Sequence, residues 1–185
     1  MKNAFIFHGT GGFPEENWFP WLKNKLEKRG IVVTVPKFPT PEGQSLQAWL
    51  EIMKPYEQEV NAETIIIGHS LGGLFLLRYL EQLKDAVGSS VFVAASAGVM
   101  PIKFYEADAA FSGGFVFNWG AIHRVAGKTA VFHSDNDPYI SLGNGELIAE
   151  KLGTDFHMLQ NAGHFNTASG HTKFPQLLNI IESKL

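Results

Sequence analysis

The chain contains no cysteine. That absence excludes a disulfide framework, thiolate metal sites and a cysteine nucleophile, and it fits a reducing compartment. Charge is sparse as well. Asp, Glu, Lys and Arg make up 18% of the 185 residues, and the formal net charge is -3. With no basic stripe and no Lys/Arg run, nucleic acid is not an expected partner. Long apolar runs are also missing. The longest, Val91 to Met100, is about half of what a membrane span needs. The run near the N-terminus, Ala4 to Phe7, is too short for a signal-peptide core, and glycines follow it at once. The expectation is a cytoplasmic protein without membrane association.

Apolar residues account for 45% of the chain, an ordinary share for a globular protein. The length suits one domain, residues 1–185, large enough to bury most of its chain surface. No repeat, low-complexity tract or linker interrupts it. Short β-branched runs alternate with longer periodic segments. Ala4–Phe7, Ile31–Val35, Thr64–Ile67, Val91–Ala95, Thr129–His133 and Phe156–Leu159 read as strands. Helical spacing follows Trp18, after Ser45, over Leu71–Leu83, over Asn118–Val125, over Glu146–Leu152 and over Thr172–Ser183. Met100–Trp119 is rich in Gly and Phe and shows no period. This alternation predicts an α/β fold: a doubly wound, mainly parallel six-stranded sheet with helices on both faces. If the strand order is 2-1-3-4-5-6, a crevice opens between strands 1 and 3, where the order reverses.

Gly68-His69-Ser70-Leu71-Gly72 is the only Gly-x-Ser-x-Gly in the chain. It follows a predicted strand and opens a predicted helix. A serine on so sharp a turn takes a strained conformation that lifts its hydroxyl clear of the sheet, with a helix N-terminus beneath it. The alternative is a turn serine that caps the helix. Ser70 as nucleophile needs a base, and His164 follows the last strand. Asp135 and Asp137 follow strand 5, so the order Ser, acid, His is that of an α/β-hydrolase triad. The competing readings are a loop histidine and an Asx-turn aspartate. An oxyanion needs donors. One is the Leu71 amide; the other is placed in His8-Gly9-Thr10-Gly11-Gly12, at Thr10 in preference to Gly11. That loop lacks the Gly-Lys-Ser/Thr ending of a phosphate-binding loop.

Phe7-His8-Gly9, Thr64-Ile65-Ile66-Ile67-Gly68-His69-Ser70, Asp135-Asn136-Asp137-Pro138-Tyr139 and Gly163-His164-Phe165 resemble the small serine hydrolases related to retinoblastoma-binding protein 9 and YdeN. The resemblance covers nearly the whole chain. It implies an α/β hydrolase reduced to its core, with no large lid, and it favours Asp137 over Asp135 as the acid. Binding to retinoblastoma protein through Leu-x-Cys-x-Glu is not carried over, because this chain has no cysteine.

The function expected is hydrolysis of a small ester or amide through Ser70, His164 and Asp137, with no cofactor and no metal. Thioester, peptide or lyase chemistry on the same scaffold stays open. Gly9, His69, Phe111 and Phe115 are expected to face the substrate, and His8 and His69 to hydrogen-bond beside the site. The aromatic group Phe104, Tyr105, Phe111, Phe115, Phe117 and Trp119 either lines a pocket or forms satellite core under a loop. His133 and His171 lack helical ligand spacing and are not expected to hold a metal. A reading of a different class is a protein- or peptide-binding module that keeps the triad unused.

Overall fold

The structure is a computed structural model that describes residues 2–103 and 108–184. Six strands form one sheet: β1 (Asn3–Phe7), β2 (Val32–Thr34), β3 (Ile65–His69), β4 (Ser89–Val93), β5 (Lys128–Ser134) and β6 (Phe156–Leu159). Their order is β2-β1-β3-β4-β5-β6, and every pairing is parallel. The sheet is therefore wholly parallel, and its order reverses between β1 and β3.

Among the described residues seven α-helices cover it: α1 (Phe19–Glu27), α2 (Leu46–Met53), α3 (Leu71–Leu80), α4 (Ala109–Ser112), α5 (Trp119–Val125), α6 (Gly143–Leu152) and α7 (Pro175–Lys184). β1, β3 and β4 are buried along their whole length, which explains why they read as unbroken apolar runs. Alternate residues serve opposite faces. Phe5 and Phe7 pack with α2, α3, α5 and α6, around Trp49, Phe75 and Phe92. Ala4 and Ile6 pack with α1 and α7, around Trp18, Phe165 and Phe174.

Helix ends differ from the sequence expectation for local reasons. α3 stops at Leu80 because Gln82 and Leu83 tighten into three-residue turns on the Tyr79 and Leu80 carbonyls. α6 starts at Gly143, ahead of Glu146. Gly145 is a packing glycine there and not a breaker: a Cβ on it would lie 2.9 Å from His133 Cβ. α7 starts at Pro175, a residue whose missing N–H is harmless in the first turn.

The aperiodic stretch is organised from a distance. Buried Arg78, on α3, donates from Nε to the Phe111 carbonyl at 3.1 Å and from Nη1 to that of Val116 at 2.8 Å. Its Nη2 donates to the Ser112 carbonyl, and its guanidinium lies 4.2 Å from the Phe117 ring centre. Glu81 balances the charge at 2.9 Å.

α3 approaches β1 very closely. A Cβ on Gly72 would stand 2.3 Å from the Phe7 carbonyl oxygen, a backbone atom that cannot swing aside. Gly72→Ala is expected to push α3 off the sheet and to lower stability by about 1–3 kcal/mol. Thermal melting checks this, and an unchanged Tm would contradict so close a helix.

Candidate active site

Ser70 sits between β3 and α3 with φ 56 and ψ -124. A non-glycine residue in that region is uncommon and strained by about 1–3 kcal/mol. Its own amide is used, donating to the Val93 carbonyl at 2.9 Å. The Leu71 amide, in the first turn of α3, has no hydrogen-bond partner among the described residues. Gly9 lies directly against Ser70, since a Cβ on Gly9 would be 2.8 Å from Ser70 Cβ. The loop after β1 and the serine turn thus face each other across the switch point of the sheet.

His164 donates from Nδ1 to Asp137 Oδ2 at 2.8 Å, and the Asp137 side chain is fully buried. The other carboxylate oxygen, Oδ1, accepts the Tyr139 and Ile140 amides at 2.9 and 3.1 Å. Asp137 is therefore an Asx-turn residue and a histidine partner at once. Burial by itself would push its carboxyl up. The His164 hydrogen bond and charge, together with the two amides, outweigh burial and hold it below the ordinary range. Asp135 is engaged elsewhere, where its Oδ1 accepts the Asn161 amide at 2.8 Å. Asn136 and Ser134 accept the Gly163 and Ala162 amides at 2.7 and 2.9 Å. The loop after β5 thereby grips the segment that presents His164.

Three buried histidines brace the loops. His8 donates from Nδ1 to the Gly9 carbonyl at 2.9 Å and accepts the Phe38 amide on Nε2 at 3.1 Å. His69 donates from Nε2 to the His164 carbonyl at 2.8 Å. His133 donates from Nε2 to the Ile140 carbonyl at 3.0 Å. Burial, the largest effect on each, pushes all three below the ordinary imidazole value, His69 to about 3. Asn144 braces the turn after β4 in a similar way: its Oδ1 accepts the Ala97 and Val99 amides at 2.8 and 3.0 Å.

Ser70 and His164 open into one cavity of about 160 Å³, with Thr10, Leu71, Ser96, Lys103, Asp108, Tyr139, Ile140 and Asn166 around them. No hydrogen bond joins Ser70 Oγ to His164 Nε2 among the described residues. Such bonds are commonly long before substrate arrives.

The family described as serine hydrolase matches residues 4–183. The chain belongs to that family. YdeN of Bacillus subtilis is 28% identical over 184 residues, covering 98% of this chain and 95% of YdeN. Serine hydrolase RBBP9 of Rattus norvegicus is 26% identical over 185 residues, covering 98% of this chain and 95% of that protein. The crystal structure of the B. subtilis ydeN gene product superposes with a TM-score of 0.88 at 27% identity, covering 100% of this chain and 98% of that one. The fold is that of an α/β hydrolase.

In this serine hydrolase the structure brings Ser70, His164, Thr10 and Leu71 to one cleft, with Asp137 directly behind His164. Three residues expected to face substrate lie elsewhere. His69 is buried between Trp18, Phe19 and His164. Phe111 is fully buried against Trp49 and Phe75. Phe115 packs on the same core. Phe117 and Trp119 join it there, so these aromatics are satellite core, whereas Phe104 and Tyr105 lie outside the described residues. Sequence reading misses Ser96, Tyr139 and Asn166, although each follows a strand end or a motif residue, where an open α/β sheet builds its crevice. Lys103 and Asp108 come from the aperiodic stretch and carry no such signal.

The braced histidines give stability a pH dependence of definite sign. An unfolded histidine takes up a proton below about pH 6.5, while burial makes each of these three harder to protonate in the fold. The unfolded chain then binds more protons, so stability falls as pH drops below about 6.5 and is full above it. His69 alone accounts for about 2 kcal/mol of loss at pH 5. Asp137 adds a separate loss at lower pH, as its carboxyl protonates below the ordinary range. Urea midpoints should fall from pH 7.5 to pH 5, and His69→Gln should flatten the slope. A pH-independent midpoint would contradict neutral buried imidazoles.

Proposed function

We propose that Ser70, His164 and Asp137 act as a catalytic triad that hydrolyses small ester or amide substrates through an acyl-enzyme. The observation that carries this is the 2.8 Å bond from His164 Nδ1 to buried Asp137, behind the cleft into which strained Ser70 opens. With Nδ1 holding the proton, the neutral ring presents a lone pair at Nε2. Ser70 Oγ attacks the substrate carbonyl as Nε2 takes its proton. The tetrahedral oxyanion is held by the Leu71 and Thr10 amides. His164 returns the proton to the leaving group, and water, activated the same way, releases the acid and restores Ser70. No step calls for a cofactor or a metal.

A cavity of about 160 Å³ is below the usual range of pockets for drug-sized ligands, which supports a small acyl substrate. Its mixed lining of Thr10, Ser96, Lys103, Asp108 and Asn166 suits a polar acyl group better than a long aliphatic one. Neither nucleic acid nor a membrane is a partner in this reading, and the setting is the cytoplasm.

A fluorophosphonate probe should label Ser70 and leave Ser70→Ala unlabelled, with turnover of p-nitrophenyl acetate lost in the same variant. Asp137→Asn should lower kcat by on the order of 10⁴, by precedent of other triads. Asp135→Asn, which loosens only the Asn161 turn, should cost less. A folded protein that fails to label is a binding module on a hydrolase fold, and a greater loss at Asp135 than at Asp137 would displace Asp137 as the acid.

A further inference from the structure

Two consecutive amides follow Gly9 in the loop after β1, and they are treated differently. The Thr10 amide has no hydrogen-bond partner among the described residues. The Gly11 amide donates to Thr40 Oγ1 at 2.8 Å. From Thr40 a chain of side chains runs back to Thr10. The Thr40 hydroxyl donates to Gln44 Oε1 at 2.5 Å, and Gln44 Nε2 donates to Asp108 Oδ1 at 2.8 Å. The same carboxylate oxygen accepts the Thr10 hydroxyl. Gly11, Thr40, Gln44, Asp108 and Thr10 thus close a circuit that ties the loop after β1 to the segment before α2 and to the residue preceding α4. Gln44 and Asp108 are both more than nine-tenths buried.

The circuit has one self-consistent polarity. A carboxylate only accepts, so Gln44 must turn its NH₂ towards Asp108 and its carbonyl towards Thr40. Thr40 then spends its only proton on Gln44 and has lone pairs left for the Gly11 amide. Reversing Gln44 would set its carbonyl against the carboxylate, two acceptors face to face. Buried networks satisfied in this way are stiff, and a half-satisfied one is costly.

We propose that Asp108, Gln44 and Thr40 are positioning residues for the oxyanion hole. They hold Thr10 by its hydroxyl so that its amide stays available to the cleft, and they occupy the Gly11 amide so that the loop presents one donor in one place. The inference rests on the proposed role of Ser70. It also accounts for a carboxylate lining a cleft where negative charge develops: Asp108 is there as an acceptor, with two donors on the oxygen that does the holding.

The test uses the whole chain, p-nitrophenyl acetate as substrate and an aryl trifluoromethyl ketone as a probe that forms a tetrahedral oxyanion on Ser70. Thr10→Val and Asp108→Ala are expected to lower kcat by about ten- to a hundredfold, with KM within about twofold. Ketone affinity should fall by the same factor as kcat/KM. Thr10→Ser and Asp108→Asn keep a hydroxyl donor and an oxygen acceptor, so each should recover most of what its partner variant loses. A tether with a merely structural role would lower Tm and leave the ketone's affinity parallel to that of ground-state ligands. If Thr10→Val does not fold, Thr40→Val interrupts the circuit from the other side and should show the same split between kcat and KM. Folded variants with unchanged kcat, or with the loss confined to KM, overturn the positioning role while the triad stands. A parent chain inert to both the ester and a fluorophosphonate overturns the triad reading and this one with it.

Discussion

The contact on which the rest of the site depends is the near-collision of α3 with the sheet. Cβ atoms on Gly68, Gly72 and Gly73 would stand 2.5 Å from the Gly72 carbonyl oxygen, 2.3 Å from the Phe7 carbonyl oxygen and 2.4 Å from Ala95 Cβ. Only hydrogen fits at these three places. Because the helix comes so close, the connection from β3 has no room for a relaxed turn, and Ser70 is forced to positive φ. The same approach brings the end of β1 under the first turn of α3, which sets Gly9 against Ser70. Nucleophile and oxyanion loop meet through backbone packing before any side chain is involved.

The remaining loops are fixed by buried polar groups, each used on the side that matters. His8 holds the loop after β1, His69 the backbone of His164, His133 the backbone behind Asp137, and Asn144 the turn after β4. Imidazole suits this role because one nitrogen can donate while the other accepts, as in His8. The cost is that the fold must keep these rings uncharged, so acid works against it. Asp137 shows the opposite balance. Its desolvation is offset by three donors, which keeps it an anion where His164 needs one.

Much of this is legible in the sequence, and for identifiable reasons. The strands are visible because a sheet covered on both faces demands continuous apolar runs such as Ile65-Ile66-Ile67. Ser70, Asp137 and His164 are visible because each occupies a turn just beyond a strand end, with glycine or proline nearby. What stays hidden is set by long-range donors. Arg78 shapes residues 111–116 from another helix, so no local period marks them. Asp108 meets Thr10 across the cleft, and the chain order gives no hint of it. The expectation for His69 fails because its place in the motif says that it is near the serine but not that it points away, behind His164. Phe111 and Phe115 are ambiguous in sequence because apolar character is shared by pocket walls and core.

Trp18 has a consequence of another kind. Its indole N–H donates to the carbonyl of Phe165, the residue after His164, at 3.0 Å, and its ring stands edge-on to His69 at 6.1 Å. The ring is fully buried. An indole in such surroundings emits at short wavelength. The molecule therefore carries a native chromophore wired to the backbone of the histidine loop. Shifts of that loop alter the light from this tryptophan without any label being attached.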